Sequence, residues 1–121
     1  MWFHVVSVHL RPYQALALWH SVTLTQVQND GSDLTLRQMA ILLQIYLEPP
    51  PHTVRGLAKT LDVTKPVITR ALDTMGSLGF IQRVRDERDR RNVIIKRTVN
   101  GALFVEKLGD IIIEQGLKIE R

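Results

Sequence analysis

Between residues 11 and 28, apolar side chains return near helical spacing: Leu16, Trp19, Val22 and Val27. That period predicts a helix, and Pro12 suits its first turn. The run NDGS at 29–32 reads as a loop. A second helix is expected over 35–48. Thr35 caps it, and Leu36, Met39, Ala40, Leu43 and Tyr46 or Leu47 form its inward stripe. Prolines 49, 50 and 51 stop it, since proline has no amide to donate and restricts the residue before it. A short helix follows over 53–61 with Thr53 as N-cap, then a tight turn at Asp62 and Val63. The next helix, over 64–79, starts at Thr64 with Pro66 in its first turn. It turns Ile68, Ala71, Leu72 and Met75 inward and ends at Gly76 and Gly79.

The period then changes. FIQRVR (80–85) and NVIIKR (92–97) are strand-like and joined by the charged DERDRR. Alternation is imperfect, so both faces of this ribbon are expected to be partly covered. A last helix begins near Thr98 or Asn100 and runs to about Gly116. A short helix, a tight turn and a second, polar-capped helix form a helix-turn-helix unit, and the hairpin after it makes the unit winged. The expected class is therefore mainly α with a small β-hairpin wing (α+β). One domain spans 1–121, with a winged core over 33–98 and helical ends over 1–30 and 99–121.

Length and composition agree with one globular domain: 121 residues, 45% hydrophobic and 23% charged. There are no cysteines, which excludes a disulfide scaffold, a thiolate metal site and a thiol redox sensor within these residues. The apolar start MWFHVVSVHL lacks a basic opening and is read as mature sequence, not a leader. No apolar run is long enough to span a bilayer, and a cytoplasmic protein is expected.

Charge changes the picture. The formal net charge is +4, but residues 51–100 carry eleven basic against five acidic side chains, net +6, while each flank is net −1. A basic patch concentrated in this way points to a polyanionic partner. In a helix-turn-helix unit the second helix enters the DNA major groove. With Ile68, Ala71, Leu72 and Met75 inward, Lys65, Pro66, Thr69, Arg70 and Asp73 face out. Lys65 and Arg70 can donate to guanine O6 and N7, and Thr69 can meet a polar edge or a thymine methyl. The competing reading of Arg70 is a salt bridge with Asp73 or Asp62. Asp73 would repel phosphate, so an arginine partner is expected for it. Thr53 and Thr64 open helices whose free amides can also face phosphate. Arg88, nearest the hairpin tip, and Arg90 can reach the adjoining minor groove, whose negative potential attracts arginine. Asp86, Asp89 and Arg91 are expected to brace the loop; the competing reading is a merely solvated tip.

LTLRQ, TVRGLAKTLDVTKPVITRALD, LGFIQR and DERDRR together resemble the DNA-binding core of MarR-type bacterial transcriptional regulators. DERDRR matches that family's D-x-x-D-R-R wing signature at Asp86, Asp89, Arg90 and Arg91. The resemblance covers roughly residues 33–110. It implies a homodimer on pseudo-palindromic duplex DNA, acting as a sequence-specific regulator, expected to be a repressor. It also implies a pocket for an unknown small-molecule effector between the DNA-binding core and the dimer helices. Asp62 departs from the family pattern, standing where glycine is usual.

The chain's ends favour a dimer on their own account. Phe104, Leu108, Ile111 and Ile112 make one inward stripe of the last helix, while Ile113 and Leu117 extend beyond it. Leu16 and Trp19 stand out on the first helix. One stripe serves one core. The surplus is assigned to dimerisation, with Leu16, Trp19, Phe104, Leu108, Ile112, Ile113 and Leu117 as the candidates. No enzyme motif is present, His4, His9, His20 and His52 are scattered, and neither a metal nor another cofactor is expected. The alternative function is a winged-helix module for protein or RNA contact without specific duplex recognition.

Overall fold

The computed structural model describes residues 8–29 and 32–119. The apolar segment before Val8 and the middle of the 29–32 loop lie outside them. The order is α1 (Pro12–Gln28), α2 (Leu36–Leu47), β1 (His52–Thr53), α3 (Val54–Leu61), α4 (Lys65–Ser77), β2 (Ile81–Arg85), β3 (Val93–Arg97) and α5 (Val99–Leu117).

Helix α2 is the scaffold. Thr35 Oγ1 accepts from the Gln38 amide at 3.1 Å, and Gln38 Oε1 accepts from the Thr35 amide at 2.9 Å. Two orphan donors of the helix start are thus satisfied reciprocally. Its fully buried residues are Ile41, Leu42 and Ile45, not the expected stripe. Leu36, Ala40 and Leu47 face solvent, and Met39 and Leu43 are half-buried. The reason is that α2 has two apolar faces. Ile41, Leu42 and Ile45 join Leu57, Ile68, Leu72, Met75, Ile81 and Ile95 in the main core. Met39 and Leu43 pack against a second cluster of Val22, Leu108 and Ile111. A single-stripe template locates one such face, and here it set the phase wrongly.

Helix α4 buries Ile68, Ala71, Leu72 and Met75 as its period requires. At about 1.5–3 kcal/mol for each large apolar side chain removed from water, this stripe fixes which side of α4 remains exposed. The helix continues through Gly76. Gly79 (φ 79°) then turns the chain, and the Phe80 amide reaches back to the Met75 carbonyl at 2.9 Å.

The sheet has three antiparallel strands in the order β1-β3-β2, with Arg83 opposite Ile95 and Val84 opposite Ile94. β1 was not expected, because two residues carry no readable period. It pairs His52 with Ile95 and Thr53 with Ile94. His52 is buried, and its Nε2 lies 3.0 Å from the Glu48 carbonyl. A carbonyl only accepts, so that nitrogen carries the proton.

Two polar joints hold the wing and α5 to α2. Arg97 donates from Nε to the Ile45 carbonyl and from Nη2 to the Glu48 carbonyl, both at 2.8 Å, occupying acceptors that a helix end leaves open. The Tyr46 hydroxyl donates to the Phe80 carbonyl at 2.7 Å and accepts from the Thr98 amide at 3.0 Å. Thr98 Oγ1 donates to the Gly79 carbonyl at 2.7 Å and accepts from the Gly101 amide at 2.9 Å, capping α5. Gly101 is buried here, and an added Cβ would collide with the Tyr46 hydroxyl and the Phe80 carbonyl.

Candidate nucleic-acid interface

The connection between α3 and α4 sets the angle at which α4 is presented. Asp62 ends α3 in the left-handed region (φ 55°, ψ 50°), a conformation that aspartate tolerates better than most residues. The Val63 amide then returns to the Ala58 carbonyl at 3.0 Å. Thr53 Oγ1 caps α3 by accepting from the Gly56 amide at 3.0 Å. Thr64 occupies the N-cap position of α4, but its side chain makes no cap bond. Its carbonyl alone begins the helix, accepting from Val67 at 3.1 Å.

Lys65, Pro66, Thr69 and Arg70 are exposed along α4. Asp73 does have an arginine partner. Arg83 Nη1 of β2 lies 2.7 Å from Asp73 Oδ1, so Asp73 is not taken by Arg70. No ion pair of Arg70 occurs among the described residues. The Asp73–Arg83 pair is open to solvent and contributes little stability, about 0–1 kcal/mol. Its effect is directional: it fastens the wing strand to the outer face of α4 and offsets the one carboxylate there.

The wing is shaped by its acidic residues. Asp86 Oδ1 accepts from the Arg88 amide at 2.9 Å, so it braces the loop through the backbone. Asp89 Oδ1 accepts from both the amide and Nε of Arg91 at 3.1 Å. The Arg91 side chain, then its amide, hold the Asp89 carboxyl below the usual value of 3.8, and Arg55 of α3 adds to this against a slight opposing effect of burial. Arg85 Nη1 donates to the Arg90 carbonyl at 2.6 Å. These bonds use the backbones of Arg88 and Arg90, whose side chains are exposed. Sequence reading missed Arg83, Arg85 and Arg97. Their position in strands was legible, but their partners are 5 to 52 residues away and leave no local pattern.

The apolar candidates divide. Phe104 packs on Phe80 with ring centroids 4.4 Å apart, and Leu108 is buried with Val22 and Ile111. Within the single chain Leu108 is buried and Phe104 half-buried, as the inward stripe expected of them requires, and both contact apolar groups of the same protomer. Leu16 (69% exposed), Trp19 (52%), Ile112 (41%), Ile113 (64%) and Leu117 (83%) remain outward on α1 and α5. Of the α1 positions at helical spacing, Val22 is buried while Leu16, Trp19 and Val27 face outward. Beside them, a cavity of about 260 Å³ opens between α1, α2 and α5, lined by Trp19, Val27, Leu36, Met39, Leu43 and Ile112 among others. Among the described residues no helix is long and apolar enough to cross a membrane, and no three potential metal ligands cluster.

Residues 34–93 match the family model described as MarR family. The chain is 35% identical over 82 residues to the organic hydroperoxide resistance transcriptional regulator of Bacillus subtilis (strain 168), covering 68% of this chain and 55% of that protein. It is 30% identical over 80 residues to the multiple antibiotic resistance protein MarR of Escherichia coli (strain K12), covering 66% of this chain and 55% of that one. The chain thus spans about half the length of these curated relatives. Among solved structures, reduced AbfR bound to DNA superposes with a TM-score of 0.64 at 25% identity, covering 84% of this chain and 70% of that one.

Proposed function

The chain belongs to the MarR family, and from that premise we propose that it is a transcriptional regulator that binds duplex DNA sequence-specifically. The observation that carries this reading is the exposed row Lys65, Thr69 and Arg70 on α4, set beside a wing whose backbone is tied so that Arg88 and Arg90 project. Lys65 and Arg70 read base edges in the major groove, Thr69 and Pro66 fit the groove floor, and Arg88 and Arg90 enter the neighbouring minor groove. Thr53 and Thr64 bring the starts of α3 and α4 near phosphates. Asp86, Asp89 and Arg91 keep the wing in shape.

The regulator acts as a homodimer in the cytoplasm, with two α4 helices about 34 Å apart on a pseudo-palindromic site. A dimer seated across two half-sites excludes other proteins from that DNA, so repression is the outcome proposed. The cavity between α1, α2 and α5 is the place for an apolar effector. With no cysteine in these 121 residues, no thiol here carries an oxidative signal.

Fluorescence anisotropy with duplexes selected by the purified protein tests the reading. Log affinity should fall steeply with log salt, by about 0.9 per neutralised phosphate. Arg70→Ala should cost roughly 1–3 kcal/mol on the selected site and relax preference at one or two positions. Arg88→Ala should weaken binding while leaving major-groove preference intact. Binding no tighter to the selected duplex than to duplex RNA or heparin would sink the proposal in favour of a module for other partners.

A further inference from the structure

On the side of α4 turned toward α2, a second cationic feature adjoins the α4 row at Arg70 and stands apart from the wing. A cleft runs between the first turn of α2 and the middle of α4, lined by Arg37 and Gln38 from the one and Val67, Arg70 and Thr74 from the other. Arg37 and Arg70 are both exposed. No acidic residue lines the cleft, and neither guanidinium has an ion pair among the described residues. The nearest carboxylate along α4, Asp73, is held by Arg83 at 2.7 Å. Two arginines on separate, rigid helices therefore share one cleft with nothing opposite in sign. Like charges so placed repel, and an anion between them removes that cost. The guanidinium fork suits phosphate oxygens in particular.

We propose that this cleft is a phosphate-binding notch for the DNA backbone, with Arg37 as its anchor and Arg70 shared between the notch and the groove. This rests on the DNA-binding reading above. When α4 lies in the major groove, the strand flanking that groove passes beside the helix. The first turn of α2 is the element standing next to α4 on the Arg70 side. Arg37 then grips a phosphate and fixes how far α4 slides along the groove, while carrying no base information itself. Its side chain is exposed on the first turn of α2, so it can be replaced without disturbing the fold.

The test compares the parent protein with Arg37→Gln, Arg37→Lys and a remote control, Lys118→Gln, on a selected duplex and on a scrambled one, across a range of salt. Loss of one phosphate contact lowers the slope of log affinity against log salt by about 0.9. Arg37→Gln should show that drop, weaken both duplexes by a similar factor, and leave their ratio unchanged. Arg37→Lys should keep the slope, and Lys118→Gln should leave both slope and affinity as in the parent. If the parent binds with a steep slope and Arg37→Gln matches it, the notch is wrong while the DNA-binding reading stands. If Lys118→Gln lowers the slope as much as Arg37→Gln, the effect is net charge and the notch is also wrong. If the parent binds no duplex, both fall together.

Discussion

A single atom added to this chain separates the glycines that are structural from those that are incidental. At Gly101 a Cβ would displace the Tyr46 hydroxyl and press on the Phe80 carbonyl. Overpacking alone costs about 1–3 kcal/mol, and backbone groups deprived of the hydroxyl add a desolvation cost of about 1–3 kcal/mol each. Gly101→Ala should therefore lower stability by about 3 kcal/mol or more in urea denaturation. Gly109, in the same helix, has nothing within 4 Å of its Cβ position. Gly109→Ala should be neutral or stabilising by up to about 1 kcal/mol. Equal effects of the two substitutions would contradict the joint described around Tyr46. No local signal in the sequence marks Gly101 as different from Gly109. The distinction comes from a hydroxyl 55 residues earlier in the chain, which only the folded arrangement brings near.

The elements differ in how far they could be read in advance. Helix α4 was legible because its four inward residues meet one core, so one stripe describes it. Helix α2 was not, because two clusters claim opposite sides of it. Strand β1 escaped notice because it is too short to have a period. The left-handed turn at Asp62 was visible as a departure from glycine at a position where the backbone needs φ above zero. In the wing, residue types were legible but partners were not: Asp86 was expected to brace the loop, and which group it holds, the Arg88 amide, left no pattern in the sequence. The wing makes a prediction about acid. Asp89 is held below its ordinary value of 3.8, chiefly by the Arg91 side chain and then its amide. A depressed carboxyl pKa means that the loop's brace is present above the unfolded value and is lost as pH falls through the lower, folded value. At neutral pH the brace is intact. Carboxyl-carbon NMR should show Asp89 titrating below 3.8, and Arg91→Ala should move the midpoint upward. An unmoved midpoint would mean that Arg91 is not the cause.

Over the whole molecule, the surplus of apolar residues at the two ends is divided between interior and surface. Phe104 and Leu108 are used within one chain, whereas Leu16, Trp19, Ile112, Ile113 and Leu117 face outward. A patch of this kind beyond a few hundred Å² is rarely left bare on a monomer, and a twofold partner would cover it with the same surface. Sedimentation equilibrium at micromolar concentration should give twice the mass of 13.9 kDa. Ile113→Glu with Leu117→Glu should restore the single-chain mass with the helical spectrum unchanged; a lost spectrum would place those side chains in the interior instead. The Tyr46–Gly101 joint then acquires a mechanical meaning. From Gly101 to Leu117, α5 extends roughly 24 Å at 1.5 Å per residue, so it is a lever with its fulcrum at that hydroxyl. A tilt of roughly 10° there moves the far end by about 4 Å, more than one base-pair step of about 3.4 Å. In a dimer joined at the far ends, looseness at the fulcrum would become an error in the spacing of two α4 helices on DNA. In such a dimer the packed glycine, the tyrosine and the threonine cap would act together as a bearing whose play sets the gauge of the site it spans.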